Sequence, residues 1–436
     1  MRHIEVDAQI NAENQYECEV ERDRVITALT TRTKVDTLVI GGGLTGLGAA
    51  IDLAQGGHSV AVLESGQVGS GASGRNGGQV LVGYACGQSE LERHLGREGA
   101  RRAWDVSVAA VELVKHRMQT HAIAADWQPG ALTVAINAKK ARELERDAQE
   151  MSQQLGFETQ WLERAELTNH IHSPRYVAGV YDAFSGHLNP LKLTLGMAKA
   201  ARECGVKIYE HSAVQSFEMG PPARATTLHG EISADHVVVA GNALLGAAFS
   251  HLLPSAASRI MPVGTYIAAT QPLAAEQLGY ALPTGAAVCD NQFVLDYFRI
   301  GAERRLLFGG GVSYSSRTPR FLRQKMQARI QQVFPHLGPV SVERLWGGYV
   351  DITMNRAPDW GRLAPHVYYA QGFSGHGVAL SGMAGRLMAQ AILGQASGFD
   401  LFVKIKHTPF PGGSLWRTPL LVLGTSYHRL RDALGY

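Results

Sequence analysis

The feature that most constrains this chain is a glycine cluster, GGGLTG, at residues 41–46. It follows an apolar run at 35–40, which predicts a buried strand, and it opens a segment with helical spacing of apolar residues that continues to residue 55. A second apolar run at 59–63 predicts another strand. Strand, helix and strand within about 30 residues form a crossover unit with parallel strands. The sequence therefore predicts a βαβ unit of the dinucleotide-binding type.

The residues of this unit have separate predicted roles. Gly41 permits the tight turn, Gly43 lets a pyrophosphate approach the backbone, and Gly46 allows the helix to pack closely on the strand. The first turn of the helix, at Leu44 and Thr45, offers free N–H groups and a positive dipole end to the phosphates. We therefore expect these five residues to hold the phosphates of a dinucleotide.

An acidic residue ends the second strand of the unit. Glu64 stands where a carboxylate accepts hydrogen bonds from the hydroxyls of an adenosine ribose, and Ser65 follows it. Both residues are expected to contact the cofactor. The acid is compatible with NAD and with FAD, so it does not decide between them.

Three other features favour FAD. A second glycine-rich loop at 69–87 follows the βαβ unit directly, where an NAD enzyme would continue its alternation of strands and helices. A third cluster, GFSGHG at 372–377, leads from a short predicted strand into a helix, whose N-terminus can stabilise a negatively charged reduced flavin. The sequence has no second fingerprint for a separate nicotinamide.

The composition is that of a globular protein large enough for two domains. The chain has 436 residues, 45% of them hydrophobic, and a net charge of +3, which does not favour nucleic acid or an anionic membrane as a partner. Its four cysteines are scattered without a CxxC pair, so no metal site is predicted. No run reaches the roughly 18 apolar residues of a membrane span, and a cytoplasmic location without membrane association is expected.

Several segments beyond the nucleotide motif match one family of flavoenzymes. They are GASGRNGGQ at 71–79, SGH at 185–187, VAGNA at 239–243, LDYFR at 295–299 and SGHGV at 374–378. On these segments the chain resembles the D-amino-acid-oxidase-like superfamily of FAD enzymes, over nearly its whole length from residue 35.

The resemblance implies an α/β fold with two interleaved domains. One is a Rossmann-like FAD-binding βαβ domain of the glutathione-reductase type, and the other is an α+β substrate domain with a large mixed or antiparallel sheet. We predict a discontinuous FAD-binding domain at 35–115, 175–250 and 341–400, and a substrate domain at 116–174 and 251–340. Residues 1–34 are predicted to form an arm over the surface, and residues 401–436 a C-terminal tail.

The resemblance also implies further contacts with FAD. The loop at 71–79 would lie over the flavin, and Val214 would meet the adenine through backbone groups. The expected residues are Ser73, Arg75, Asn76, Gly77, Gly78, Gln79, Val214, Gly241, Gly372, Gly375, His376, Gly377 and Val378.

Three departures from the sarcosine-oxidase branch of the family modify these expectations. That branch attaches FAD through a cysteine, whereas this chain has WGGYV at 346–350, so non-covalent FAD is expected. Val80 and Ala379 stand where that branch clamps a substrate carboxylate, which favours an amine over a simple α-amino acid. Arg299 replaces a lysine that helps oxygen to react, so an electron carrier is an alternative to oxygen as the acceptor.

The candidate catalytic residues are a histidine and three tyrosines: His376, Tyr297, Tyr349 and Tyr84. A neutral His376 imidazole would donate a hydrogen bond to the flavin edge. Tyr297 and Tyr349, together with Phe298, would form an aromatic wall over the flavin. Tyr84 would reach the substrate cavity. The alternative for each tyrosine is packing in the core, and no catalytic base is assigned.

The leading hypothesis is an amine oxidase for gamma-glutamylputrescine or a related primary amine. By resemblance, a hydride would leave the carbon next to nitrogen for the flavin, the imine would hydrolyse, and oxygen would give peroxide. Arg299 would be either a strand charge or a bidentate partner for the glutamyl carboxylate. The alternatives are an oxidase or dehydrogenase of a secondary, cyclic or D-amino acid, such as pipecolate, sarcosine or D-alanine, and a flavin-binding protein without turnover. The oligomeric state is left open.

Overall fold

The computed structural model describes residues 14–22, 27–245, 250–292, 294–313 and 318–411. Parts of the predicted N-terminal arm and of the C-terminal tail lie outside these residues. Among the described helices, none combines the length and the apolar character that crossing a bilayer requires.

Seventeen strands lie in the described part of the chain: β1 (Arg32–Ile40), β2 (Val60–Leu63), β3 (Gln79–Val80), β4 (Gln128–Ala135), β5 (Gln160–Glu163), β6 (Ala178–His187), β7 (Lys207–Tyr209), β8 (Ser216–Glu218), β9 (Ala223–Thr226), β10 (Glu231–Val239), β11 (Met261–Thr270), β12 (Ala287–Asp290), β13 (Tyr297–Ile300), β14 (Leu306–Ser313), β15 (Val342–Ile352), β16 (Asp359–Ala364) and β17 (Val367–Gln371). The α-helices of the same ranges are α1 (Leu44–Gln55), α2 (Gln88–Thr120), α3 (Ala138–Leu155), α4 (Arg164–Leu167), α5 (Pro190–Glu203), α6 (Pro254–Ala257), α7 (Ala275–Ala281), α8 (Leu322–Val333), α9 (Gly377–Ile392) and α10 (Ser397–Val403).

The first sheet contains the predicted βαβ unit. Its strands run in the order β16-β17-β10-β1-β2-β7, and the hairpin of β8 and β9 extends it beside β10. The central strand β1 is parallel to β10 and to β2, with Ile40 level with Val239 and with Leu63. The carboxyl ends of these three strands therefore meet at one edge of the sheet, where Gly41 and Glu64 follow directly.

Helices α1 and α9 pack closely together. Leu47 and Leu53 of α1 are fully buried, because the apolar positions of this helix recur at helical spacing. A Cβ added to Gly385 of α9 would lie 2.7 Å from the backbone nitrogen of Ala49. This contact between backbones brings the N-terminal βαβ unit against the last long helix.

The second sheet has nine strands within the described residues. Its order is β15-β11-β14-β13-β12-β4-β6-β3, with β5 paired to β6, and β12 and β4 form a parallel pair among antiparallel ones. One face packs on α8 through an aromatic core that includes Phe298, Phe308 and Phe334. The predicted combination of a βαβ sheet and a large mixed sheet is confirmed.

Sheet membership differs from the predicted domain boundaries at three strands and at the start of β1. Strands β3, β6 and β15 lie in the predicted FAD-binding segments 35–115, 175–250 and 341–400, but all three pair within the second sheet. Residues 32–34 belong to β1, not to an arm. Alternating strands and helices indicate local structure, whereas pairing between distant strands decides which sheet a strand joins. The division into domains itself stays a prediction.

Candidate active site

The dinucleotide turn has the geometry that its glycines predict. Gly41 has a φ of 113°, and its N–H donates to the Leu63 carbonyl at 2.9 Å. A Cβ on Gly41 would lie 2.6 Å from the Ala240 carbonyl oxygen. A Cβ on Gly46 would overlap the Gly41 carbonyl oxygen. Strand, turn and helix therefore approach too closely for any larger residue at these two positions.

The start of α1 faces the second glycine-rich loop. Gly43 precedes the helix and has no side chain to accept from its first N–H groups. The Ser73 hydroxyl accepts from the Leu44 N–H at 3.0 Å, and Thr45 and Gly46 complete the first turn. This helix terminus, with small residues around it, fits the phosphates of a dinucleotide.

Glu64 lies at the same edge, and its carboxylate is fixed by neighbouring donors. It accepts from the N–H of Gly42 at 2.7 Å, the N–H of Gly66 at 2.8 Å and the hydroxyl of Ser65 at 3.1 Å. These bonds orient the carboxylate at the end of β2, where the ribose hydroxyls of an adenosine would meet it. Together with the helix terminus, this arrangement fits the adenosine diphosphate part of FAD.

The loop at 71–79 is held by its own side chains. The Asn76 amide donates to the carbonyls of Ala72 and Ser73 and accepts from the Gly78 N–H at 2.8 Å. The Gln79 amide donates to the Val288 carbonyl of β12 at 3.2 Å. The loop is therefore anchored to the N-terminus of α1 through Ser73 and to the second sheet through Gln79.

A buried acid supports the third glycine cluster. Asp351, 2% exposed at the end of β15, accepts from the Gly372 N–H and from Asn242. Its own carbonyl accepts from the Ser374 N–H at 3.0 Å. Gly372 has a φ of 80°. Asp351 therefore fixes the backbone of the third glycine cluster directly before α9, which begins at Gly377.

We expect Asp351 to make the stability of the protein depend on pH. Burial raises the pKa of Asp351 from 3.8 to about 7. The folded state thus holds this proton more tightly than the unfolded state, so the stabilisation is complete below about pH 4 and is lost as the pH rises through about 7. Between those values the urea unfolding free energy of the wild type should fall by roughly 3 kcal/mol more than that of Asp351→Asn. Equal pH dependence in the two proteins would contradict this.

His376 is the residue that precedes α9, between Gly375 and Gly377. Its side chain is half-buried, and burial lowers the pKa of His376 to about 4. The imidazole is therefore neutral near pH 7 and has one N–H to donate. Val378 follows in the first turn of the helix and is buried. The structure thus places a neutral donor at the helix terminus that was expected to meet the flavin.

Two predicted cofactor-binding residues, Val214 and Gly241, lie beside the first sheet. Val214 is 4% exposed and packs with Leu38 and Leu63. Gly241 follows β10, and a Cβ there would lie 3.0 Å from the Leu245 side chain. Both therefore lie close to the edge that carries the nucleotide turn.

Tyr297 lies on the side of the second sheet that faces the loop at 71–79. A Cβ on Gly77 would lie 2.8 Å from its ring, and a Cβ on Gly309 would overlap it. Its hydroxyl makes a hydrogen bond with Thr265, and burial raises the pKa of Tyr297 above its usual value. Two glycines thus make room for this ring between the sheet and the loop.

The structure does not bring Tyr349 and Phe298 together with Tyr297. Thr265 is paired with Gly348, so Tyr349, the next residue of β15, points to the opposite face of the sheet. There it lies near Tyr266, and burial raises the pKa of Tyr349 to about 12. Phe298 is also on that face, in the aromatic core. Of the three residues predicted to form the aromatic wall, only Tyr297 therefore faces the loop at 71–79.

Tyr84 lies in the core beside the first sheet. It is 9% exposed, its ring is 6.1 Å from that of Phe402, and its hydroxyl donates to the Ala103 carbonyl at 2.6 Å. The hydroxyl is thus engaged by α2. In this structure Tyr84 packs in the interior, which is the alternative that the sequence left open.

Sequence reasoning missed the role of Tyr16. The arm prediction put it on the surface, but it is 1% exposed. Its hydroxyl donates to the Asn76 carbonyl at 3.0 Å and accepts from Arg299, whose Nε donates to the Gly77 carbonyl at 2.7 Å. Its ring packs edge-on against Trp346. A single aromatic residue in a polar segment carried no signal that could have revealed this distant contact.

Changing Tyr16 to phenylalanine should loosen the loop at 71–79. The variant leaves a buried guanidinium donor of Arg299 without its acceptor, which costs about 1–3 kcal/mol. We expect a lower melting temperature and a several-fold weaker retention of FAD, measured by thermal unfolding and by flavin release on dilution. Tyr280→Phe is the control, because Tyr280 is 52% exposed. If both variants match the wild type, Tyr16 does not support the loop.

A buried ion pair joins the helices behind this site. The Arg117 guanidinium of α2 is 2.8 Å from the Asp52 carboxylate of α1, and Arg386 of α9 approaches the same carboxylate at 3.0 Å. Arg117 also donates to the carbonyls of Gly48 and Gly382. The Arg117 cation therefore holds together the three helices α1, α2 and α9.

The geometry agrees with comparisons to known proteins. The profile of the DAO family, described as FAD dependent oxidoreductase, matches residues 36–391. The gamma-glutamylputrescine oxidoreductase of Escherichia coli K12 is 38% identical over 92% of this chain and 93% of its own length. A probable oxidoreductase, OrdL, of Haemophilus influenzae is 36% identical over 93% of both chains.

Solved structures share the fold. Glycine oxidase from Geobacillus kaustophilus superposes with a TM-score of 0.70 at 21% identity, covering 86% of this chain and 99% of that one. L-proline dehydrogenase from P. horikoshii gives a TM-score of 0.70 at 22% identity, covering 86% and 98%. The chain therefore belongs to the DAO family and is an FAD-dependent oxidoreductase that acts on C–N bonds of amines or amino acids.

Proposed function

We propose that this protein oxidises the primary amine of gamma-glutamylputrescine or of a closely related amine. The observation that carries the proposal is the 38% identity to the gamma-glutamylputrescine oxidoreductase of Escherichia coli over nearly the full length of both chains. The side chains at the family's carboxylate clamp support it, since Val80 and Ala379 are apolar and at most 1% exposed. A simple α-amino acid would lack its anchor there.

The residues of the site suit FAD bound without a covalent link. The N-terminus of α1 would hold the pyrophosphate, Glu64 the ribose, and the N-terminus of α9 with His376 the flavin edge. When bound, FAD supplies the acceptor for a hydride from the carbon next to nitrogen. The segment at 346–350 has no cysteine, so acid precipitation should release the flavin into the supernatant.

The side chains on the sheet would organise the substrate. The Tyr297 ring, between Gly77 and Gly309, would exclude water from one side of the reacting carbon. Apolar surroundings disfavour the ammonium form of an amine, so the substrate would bind in the neutral form that oxidation requires. No side chain is proposed as the base.

Anaerobic reduction of the purified holoprotein tests the proposal. Gamma-glutamylputrescine, putrescine, pipecolate, sarcosine and D-alanine are added separately while the visible flavin band is recorded. Fast bleaching by gamma-glutamylputrescine, at least about tenfold faster than by the other four, is expected. Preferential bleaching by an amino acid would instead assign the protein to amino-acid oxidation, and no bleaching by any amine would favour a flavin-binding protein without turnover.

Admitting air to the reduced protein identifies the acceptor. We propose that oxygen accepts the electrons and forms peroxide, which a peroxidase-coupled dye measures. Slow reoxidation without peroxide would indicate an electron carrier. Arg299 stands at the position of an oxygen-activating lysine in the sarcosine-oxidase branch. The measurement therefore tests whether the reduced flavin reacts with oxygen when an arginine replaces that lysine.

A further inference from the structure

Arg75 carries a buried charge that makes no direct ion pair among the described residues. It is 9% exposed, and the hydrogen bond that its side chain makes there runs from Nε to the Gly347 carbonyl at 2.6 Å. Its Nη2 is buried and has no acceptor among the described residues. The carboxylate of Glu17, whose charge acts on Arg75, is already paired with Arg22 at 2.6 Å.

Two other buried arginines have more partners than Arg75, although the Nε of Arg117 also lacks an acceptor among the described residues. Arg117 is paired with Asp52, and Arg299 donates to two carbonyls and to the Tyr16 hydroxyl. Burial lowers the pKa of Arg75 to about 10, so its guanidinium remains charged at neutral pH. A buried charge without a partner is costly, and an anion that binds beside it removes that cost.

The position of Arg75 separates it from the phosphate end of the site. Ser73 contacts the N-terminus of α1, where the pyrophosphate belongs. Two residues later the chain has crossed to the second sheet, where the Arg75 Cβ lies 3.6 Å from the position that a Cβ on Gly348 would take. The Trp346 indole donates to the Arg75 carbonyl at 3.0 Å and fixes the loop there. The guanidinium therefore lies between the loop at 71–79 and β15.

We propose that Arg75 binds the carboxylate of the amine substrate. This inference rests on the proposed function, and it names the chemical class of substrate as an amine that also bears a carboxylate remote from the oxidised C–N bond. A guanidinium presents paired N–H donors that match a carboxylate. At the position of the family's carboxylate clamp, Val80 and Ala379 are apolar and offer no cation. Arg75 therefore suits a carboxylate elsewhere on the substrate.

Equilibrium binding of a ligand that lacks the terminal amine tests the proposal. Gamma-glutamyl-n-butylamide and its α-carboxamide counterpart are titrated into the holoprotein, and the dissociation constants are taken from the shift of the flavin spectrum. The wild type should bind the carboxylate at least about tenfold more tightly than the carboxamide. Arg75→Gln should weaken the binding of the carboxylate ligand by roughly 100-fold and the binding of the carboxamide ligand by less than about threefold.

Two further variants separate charge recognition from support of the loop. Arg75→Lys keeps the charge and should retain part of the preference for the carboxylate. Arg299→Gln removes a guanidinium whose bonds are all internal, so it should weaken both ligands equally. Equal affinities of the wild type for the two ligands, or equal losses for both in Arg75→Gln, would overturn the proposal. If the ligand binds through Arg75 but gamma-glutamylputrescine does not reduce the flavin, the proposed function fails while this inference stands.

Discussion

Changing Gly46 to alanine is expected to yield a protein that is purified without FAD. The added Cβ would overlap the Gly41 carbonyl oxygen and lie 2.9 Å from the Val39 side chain, both in the strand and turn beneath the helix. Because these atoms are backbone or fully buried, α1 would have to move away from β1 and carry the phosphate-binding N–H groups with it. A cost of about 3 kcal/mol corresponds to a loss of more than 100-fold in FAD affinity.

The measurement is the flavin content of the purified protein, followed by titration of the apoprotein with FAD. Gly279→Ala is the matched control, because Gly279 lies within α7 and an added Cβ there would meet nothing within 4 Å. That variant should keep its flavin and gain up to about 1 kcal/mol from helix propensity. Normal FAD affinity in Gly46→Ala would show that the helix can shift without disturbing the cofactor.

Removing the Asp52 carboxylate is expected to produce the largest loss of stability. In Asp52→Ala, the Arg117 side chain, 5% exposed, keeps its charge but loses its counterion. Breaking a buried pair by deleting one partner costs about 3–5 kcal/mol. Since Arg386 shares the same carboxylate, all three helices around the site would be loosened. Urea unfolding of the holoprotein measures the change.

A double variant shows whether the uncompensated charge is the cause. Asp52→Ala combined with Arg117→Met removes both charges and places an apolar chain of similar length among the helices. It should recover most of the lost stability, because an apolar replacement of a buried pair is often neutral. If the double variant is as unstable as Asp52→Ala, packing around the carboxylate, and not its charge, accounts for the loss.

The nucleotide half of the site could be predicted from the sequence because its determinants are local. Gly41, Gly43 and Gly46 lie within six consecutive residues, and Glu64 directly follows the next strand. Their roles follow from the dihedral angles and close approaches that a βαβ crossover imposes on neighbouring residues. For the same reason, the apolar runs at 35–40 and 59–63 correspond to β1 and β2, and the helical spacing that continues to residue 55 lies in α1.

The substrate side could not be predicted in this way. Tyr297 and Tyr349 are equally aromatic in the sequence, and only the pairing of β15 with β11 puts them on opposite faces of one sheet. Tyr84 follows the loop at 71–79, which is why the sequence predicts that it reaches the substrate cavity, yet its hydroxyl donates to the Ala103 carbonyl. A strand pattern of period two does not indicate which face meets the cofactor.

The sequence by itself determined the family, the dinucleotide turn and the identity of the cofactor, since these depend on short motifs with fixed spacing. Only the tertiary structure decided that Tyr16 supports a loop 60 residues further along the chain, and that it does so together with Arg299, 283 residues away. It also decided that the Nη2 of Arg75 is buried without an acceptor among the described residues. Such facts depend on which distant groups share a buried space, and that is fixed by strand register and packing.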